Sequence, residues 1–166
     1  MNKTKLKQLS EIMIQHREAD KLVQGHWWNG ENGCFYGCAT HSDELAFESA
    51  IEEFELPEWV AYWSEHVFEG LKKDESLDWP VQMLDALIAF NGDIEQVKHK
   101  LAIKRLTNLL PTGKSDVDDA VNQVIEYHKE PNKRTAELAE SAAWAAAEPT
   151  AWRNERDWFL EILKND

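Results

Sequence analysis

The chain has no lysine or arginine between Lys21 and Lys72. The fifty residues 22–71 hold ten acidic residues and no basic ones, so they carry −10 of the formal charge of −13. Nucleic-acid binding depends on lysine and arginine side chains that neutralise phosphates, so this charge argues against direct contact with DNA or RNA. A basic protein partner or a metal cation is the ligand that the charge favours.

Long apolar runs are also missing. No stretch of about 18 apolar residues could span a membrane. Three lysines at positions 3, 5 and 7 are followed by an amphipathic pattern, whereas a signal peptide continues into an apolar core. We therefore predict a cytoplasmic protein that does not cross or bind a membrane. Only two cysteines occur, Cys34 and Cys38, which is too few for a disulfide framework and favours free thiols or metal ligands.

The familiar catalytic motifs are absent as well. The sequence has no G-x-S-x-G, no H-E-x-x-H and no Rossmann glycine pattern. Residues 112–115 resemble the end of a phosphate-binding loop, but Asn108 stands where that motif needs its first glycine. His66 lies next to Glu65 and one helical turn before Glu69, and we interpret this group as a surface pair. The chain is therefore expected to be non-enzymatic.

What the sequence does contain is helical periodicity, which predicts an all-α fold of about seven or eight helices. We expect one domain over 1–166, with an irregular glycine-rich loop near its N-terminus. The predicted segments are a first helix at 4–23, a Cys/His glycine-rich loop at 25–41 with an extended piece at 34–36, acidic and tryptophan-rich helices within 42–71, helices at 79–90, 93–110 and 115–129, and alanine-rich and C-terminal helices within 131–164.

The glycine-rich loop contains four candidate zinc ligands, His26, Cys34, Cys38 and His41. Thiolate and imidazole are preferred donors for a tetrahedral Cys2His2 zinc site, and the glycines would let the loop fold around the ion. Three other interpretations stay open. The cysteines can be small buried hydrophobic residues in a structural loop, a redox dithiol with unusual spacing, or a nucleophile that uses His41 as its base.

The helix predicted from Ser42 to Phe54 carries an acidic stripe. Its acids recur at every fourth residue and continue to the helix end, opposite an apolar face of Phe47, Ile51 and Phe54. Like charges at this spacing repel each other, and no basic residue is interleaved. The stripe is either a solvated helix face or a surface for a basic partner, including the nucleic-acid channel of a host enzyme. The residues that we assign to partner binding are Glu44, Glu48, Glu52, Glu55, Trp27 and Trp28.

Three motifs resemble an uncharacterised family of phage and bacterial proteins. They are Gly33-Cys34-Phe35-Tyr36-Gly37-Cys38-Ala39-Thr40-His41, Leu56-Pro57-Glu58-Trp59 and Phe68-Glu69-Gly70-Leu71. Family members share a repeated glycine-cysteine pair followed by a histidine, an I-P-x-W-L helix start and an alanine-rich helical tail. No activity is assigned to the family, so the resemblance implies a context of mobile elements and their hosts, and with it an anti-defence role.

The sequence thus leads to three function classes. The first is a non-enzymatic acidic binding protein that acts on a basic host or defence protein. The second is a zinc-binding helical protein in which the metal is structural or, secondarily, catalytic. The third is an oligomer-forming protein, assembled through the alanine-rich helix as a contact between copies of the chain.

Overall fold

The computed structural model describes residues 1–43, 45–131 and 151–165. It confirms the all-α fold, with eight helices among these residues. The only β feature in the same ranges is an isolated bridge between Leu22 and Gly33. The helices are α1 (Lys3–Glu18), α2 (Phe35–Thr40), α3 (Ala46–Phe54), α4 (Glu58–Gly70), α5 (Lys73–Ala89), α6 (Ile94–Leu109), α7 (Ser115–Lys129) and α8 (Ala151–Asn165).

Chain packing divides the protein into two compact units, Met1–Phe90 with α1 to α5 and Asn91–Asp166 with α6 to α8. The single domain over 1–166 stays a prediction. The alanine-rich helix predicted within 131–164 falls largely on residues 132–150, which lie outside the described residues. No helix in the described part of the chain is long and apolar enough to cross a membrane.

Helix α1 is shorter than predicted. Asn2 caps it, because its side chain accepts hydrogen bonds from the backbone N–H groups of Thr4 and Lys5. The prediction of helix up to residue 23 was wrong at its C-terminal end, since Asp20 adopts a left-handed conformation with φ of 55° and turns the chain away. Helix α1 packs on α5, α2 and α3 and buries Leu6, Leu9, Ser10 and Met13.

The glycine-rich segment 25–41 contains a helix, α2, where we predicted only loop and turns with an extended piece at 34–36. One glycine, Gly37, and a β-prone Phe35-Tyr36 pair make helix unfavourable here by propensity alone. Burial decides the conformation, because five of its six residues are buried against neighbouring helices. His41 ends α2 in a left-handed conformation with φ of 51°.

Helices α4 and α5 form the aromatic centre of the first unit. As predicted, α4 runs from the residue after Pro57 to Gly70, and it buries Trp63, although Trp59 is only half-buried. Helix α5 begins at Lys73, so the predicted start at Trp79–Pro80 was wrong and Pro80 lies inside the helix. Trp79 is fully buried, and its indole N–H donates to the Ser64 carbonyl at 2.9 Å.

In the second unit, α6 packs against α7 and α8. Asp93 caps α6 as predicted, by accepting a hydrogen bond from the Glu95 N–H at 2.9 Å. One ion pair in the interior and one at the surface join α6 to α8. Arg105 Nε lies 3.1 Å from Glu155 Oε1 in the interior, and Lys104 Nζ lies 2.6 Å from Glu161 Oε2 at the surface.

Candidate functional site

The Trp27–Trp28 backbone lies directly on the glycines that flank the start of α2. A Cβ atom on Gly33 would lie 2.5 Å from the Trp27 carbonyl oxygen, and one on Gly37 would lie 2.8 Å from the Trp27 carbonyl carbon and the Trp28 nitrogen. Backbone hydrogen bonds fix this contact, from Cys34 N to His26 O at 2.9 Å and from Trp28 N to Ser42 O at 3.3 Å. The glycines of the repeated glycine-cysteine pair therefore allow the Trp27–Trp28 backbone to cross closely over the start of α2.

The two tryptophans of this crossing point to different surroundings. Trp27 is 37% exposed and meets Phe47 of α3 edge-on, with ring centroids 5.1 Å apart. Trp28 is half-buried and stacks on His41 at 4.4 Å, with His16 edge-on at 5.6 Å. Of the two predicted partner-binding tryptophans, Trp27 therefore presents a larger surface for another molecule.

Helix α3 exposes a mixed acidic and apolar face. Its buried residues are Ala46, Ala50 and Phe54, whereas Phe47 and Ile51, predicted to be buried, are only half-buried because that side turns towards Trp27 and Tyr62. Spacings of three and four place Leu45, Glu48 and Glu52 on one face. All three are exposed, and Leu45 retains 61% of its accessible surface.

The acidic stripe is shorter than predicted. Glu55 has a left-handed backbone that ends α3, and its carboxylate pairs with Lys5 Nζ at 2.9 Å and accepts from Asn2 Nδ2 at 3.4 Å. The hydrogen bond from Lys5 holds the pKa of Glu55 below its usual range. Glu55 therefore contacts α1 and does not extend the face of Glu48 and Glu52. Glu44 lies outside the described residues.

The four predicted zinc ligands do not converge. His26 Nε2 lies 2.8 Å from Asn32 Oδ1, while His41 Nε2 lies 3.2 Å from His16 Nε2. Cys38 Sγ points to the carbonyl oxygens of Gly33 and Lys21, at 3.2 and 3.4 Å. Cys34, the residue before α2, instead lies beside Glu65 and Glu69 of α4.

Sequence reasoning missed a different group, formed by Cys34, Glu65 and Glu69. One donor atom from each lies within 4.8 Å of the others, the only such group of three or more histidine, cysteine or acidic residues in the part of the chain that the structure describes. Glu65 is only 3% exposed, whereas His66 and Glu69, which we interpreted as a surface pair, are both exposed. Two features of the sequence could have indicated this group: the spacing of four residues between Glu65 and Glu69, and the position of Glu65 among the apolar residues of α4.

The Glu65 carboxylate is buried beside Tyr36 of α2. Its Oε2 accepts from the Tyr36 N–H at 3.1 Å, and the Tyr36 hydroxyl lies 2.8 Å from Ser64 Oγ. Burial raises the pKa of Glu65 to about 7, and the Glu69 carboxylate adds to the shift. An acidic side chain in this position is electrostatically costly unless a proton or a cation accompanies it.

Both cysteine thiols are protected from reaction. Cys34 and Cys38 are buried and unpaired by a disulfide. Burial is the main cause that raises the pKa of both thiols, and the negative charge of Glu65 raises both further. The pKa of Cys38 reaches about 11. Reactive cysteines instead have lowered pKa values in electropositive, partly exposed sites. The geometry therefore disfavours the redox dithiol and the nucleophile as interpretations of this loop.

Iodoacetamide is accordingly expected to alkylate either cysteine of the native protein at pH 8 about 100-fold more slowly than in the denatured chain, because the thiolate is scarce and buried. Peptide mass spectrometry at timed intervals measures the two rates separately. The urea-denatured protein is the control. Native labelling of Cys38 at the denatured rate would show that its thiol is accessible and ionised, against the structure.

No protein-family model, curated protein or solved structure matches the chain. The resemblance to phage and bacterial proteins therefore stays a prediction. The motifs that carry it have structural roles in the first unit. Gly33 and Gly37 support the Trp27–Trp28 crossing, Pro57 precedes α4, and the carbonyls at the end of α4 accept hydrogen bonds from Gln24 Nε2.

Proposed function

We propose that the protein is a non-enzymatic binding protein that engages a basic protein through an acidic aromatic surface, defined as Trp27, Leu45, Glu48 and Glu52. The observation that carries this proposal is that Leu45, Glu48 and Glu52 are exposed together on the outer face of α3, with the exposed Trp27 at the flank of the helix against Phe47, in a segment with no lysine or arginine. Exposed aromatic and aliphatic anchors beside charged groups are typical of binding surfaces.

The chemistry of this surface favours an arginine- or lysine-bearing segment. A guanidinium or ammonium group can lie over the Trp27 ring, whose face attracts cations. Glu48 and Glu52 lie about 6 Å apart along the helix, since each residue rises about 1.5 Å, and can pair with two basic side chains of one extended segment or helix. Leu45 supplies an apolar contact for an aliphatic stem.

Three further points refine the proposal. Because the surface is anionic, the partner is a protein and not a nucleic acid. From the predicted resemblance to phage and bacterial proteins, we propose that this partner is a host or defence protein and that the two proteins meet in the cytoplasm. A zinc site built from His26, Cys34, Cys38 and His41 is the weaker candidate, since these side chains face different neighbours.

Capture from a bacterial lysate tests the proposal with three immobilised forms of the protein. The forms are the wild type, the surface variant E48Q/E52Q and the control variant E11Q/E18Q, which neutralises two exposed acids of α1 outside the segment 22–71. Exposed ion pairs contribute about 0.2–1 kcal/mol each, so a specific partner should bind the surface variant up to about 30-fold more weakly. Quantitative mass spectrometry compares the captured proteins.

The expected partner is basic, is retained by the wild type and the control variant, and is depleted on E48Q/E52Q. Equal loss on both charge variants would show that only the overall charge matters. Equal capture by all forms would mean that the face of Glu48 and Glu52 is merely solvated, and the proposed surface would be wrong.

A further inference from the structure

We propose that Cys34, Glu65 and Glu69 bind a zinc ion, at a site separate from the acidic aromatic surface. Cys34 lies at the N-terminus of α2, and the two glutamates lie four residues apart on one face of α4. The Sγ atom and one oxygen of each carboxylate lie within 4.8 Å of one another. Zinc ligands in a tetrahedral site lie about 3.5 Å apart, so closing the site needs side-chain movements of about an ångström.

An unsatisfied atom at the centre of this group points to a ligand. Glu65 is 97% buried, and its Oε1 has no hydrogen-bond partner among the described residues. The Cys34 thiol lies close enough to the Glu65 carboxylate to act on its pKa as a hydrogen-bond donor, but the contact does not meet ordinary hydrogen-bond geometry at Oε1. Buried polar atoms nearly always have a partner, and a cation held by Oε1 would provide one.

The carboxylates are already oriented by the backbone around them. The Tyr36 N–H donates to Glu65 Oε2 at 3.1 Å, and the Gly25 N–H donates to Glu69 Oε2 at 2.9 Å. Gln24 Nε2 donates to the carbonyl oxygens at the end of α4, which ties the same segment to the helix. Hydrogen bonds to the ligands themselves are the usual way in which proteins hold metal-binding carboxylates in place.

The donor set identifies the ion. A thiolate selects against Mg²⁺ and Ca²⁺, which prefer oxygen ligands alone, while zinc accepts sulfur and carboxylate oxygen together. Three protein ligands leave a fourth position for water or for an imidazole. His26 and His66 lie near enough to Glu69 to lower the pKa of its carboxyl group. Glu69 is exposed, so the ion can reach the buried Cys34 and Glu65 from the solvent side.

Zinc binding replaces the S–H bond of Cys34 with a Zn–S bond and releases that proton to the solvent. Cobalt(II) is a spectroscopic substitute, because a cobalt–thiolate bond gives a charge-transfer band in the near ultraviolet. Reduced protein, stripped of metal by a chelator, is titrated with cobalt and then with zinc, which should displace cobalt with loss of the band. The wild type is expected to bind one ion per chain.

The variants C34S, E65Q and E69Q test the ligands, with C38S as the matched control in the same helix. C34S should lose the charge-transfer band, and each glutamine variant should bind zinc at least about 10-fold more weakly, while C38S should resemble the wild type. Zinc should raise the melting temperature of the wild type and of C38S by more than that of C34S, E65Q and E69Q. The exposed E69Q keeps the proposal testable even if a buried variant does not fold.

Two results would overturn the site. One is a wild-type protein that gives no cobalt–thiolate band and no zinc-dependent rise in melting temperature. The other is a band that disappears in C38S and in H26A but survives in E69Q, which would assign the ion to the cysteines and histidines of the loop. Neither result bears on the acidic aromatic surface, whose residues are separate from these ligands.

Discussion

Replacing Gly37 with alanine is expected to destabilise the protein by about 3 kcal/mol, the upper part of the usual range for overpacking. In an ordinary helix the same substitution stabilises by roughly 0.5–1 kcal/mol, because glycine is the more flexible residue. Here the added Cβ would lie 2.8 Å from the Trp27 carbonyl carbon and the Trp28 nitrogen. These are backbone atoms held by hydrogen bonds, so they cannot rotate away.

Urea denaturation followed by circular dichroism measures this change. Ala39→Gly, in the same helix, is the matched control, and it should cost only about 1 kcal/mol from helix propensity. The sign of the change in the free energy of unfolding of G37A distinguishes two explanations of α2, helix propensity and the backbone crossing. If propensity alone governed the helix, G37A would raise the free energy of unfolding, and such a rise would contradict the backbone crossing described here.

Replacing Glu155 with glutamine is expected to cost about 3 kcal/mol in the second unit, because it removes the negative charge that lies beside the buried Arg105 guanidinium. Glu155 is fully buried, and the Arg105 side chain is 11% exposed. The pair is close, at 3.1 Å, yet its angle does not satisfy hydrogen-bond geometry at Oε1.

Two matched variants test whether the loss of stability in E155Q arises because the charges of Arg105 and Glu155 are buried. Glu161→Gln removes the exposed ion pair with Lys104 between the same two helices and should cost less than about 1 kcal/mol. The double variant R105M/E155L removes both buried charges and should recover most of the stability lost in E155Q. Urea denaturation gives all three values. Equal losses for E155Q and E161Q would show that the Arg105 pair behaves as an exposed one.

The helical fold was predictable from the sequence because amphipathic periodicity reports burial directly. Asp93 and Gly70 bounded their helices as predicted, since each acts through local backbone chemistry. The errors arose where tertiary contacts override local preference. Helix α2 forms despite Gly37, and the Trp27–Trp28 backbone packs on it. Helix α5 begins at Lys73, before Pro80, and Trp79 of this helix is buried against α4.

The candidate sites were predictable only in part, for a related reason. Glu48, Glu52 and Trp27 are exposed as expected from a lysine-free segment. Glu55 could not be separated from them, because its pairing with Lys5 joins residues fifty apart in sequence. Likewise, the spacing of Cys34, Cys38 and His41 suggested convergence, but the direction of each side chain depends on α2, and Glu65 meets Cys34 only through the packing of α2 on α4.

The salt dependence of partner binding tests the central claim most directly, that the lysine-free segment presents an acidic surface to a basic protein. The dissociation constant of the captured partner is measured over a range of ionic strengths for the wild type, E48Q/E52Q and E11Q/E18Q. Our account predicts that added salt weakens wild-type binding steeply, and that only E48Q/E52Q shows a shallower dependence. An identical salt dependence for the wild type and E48Q/E52Q would contradict it.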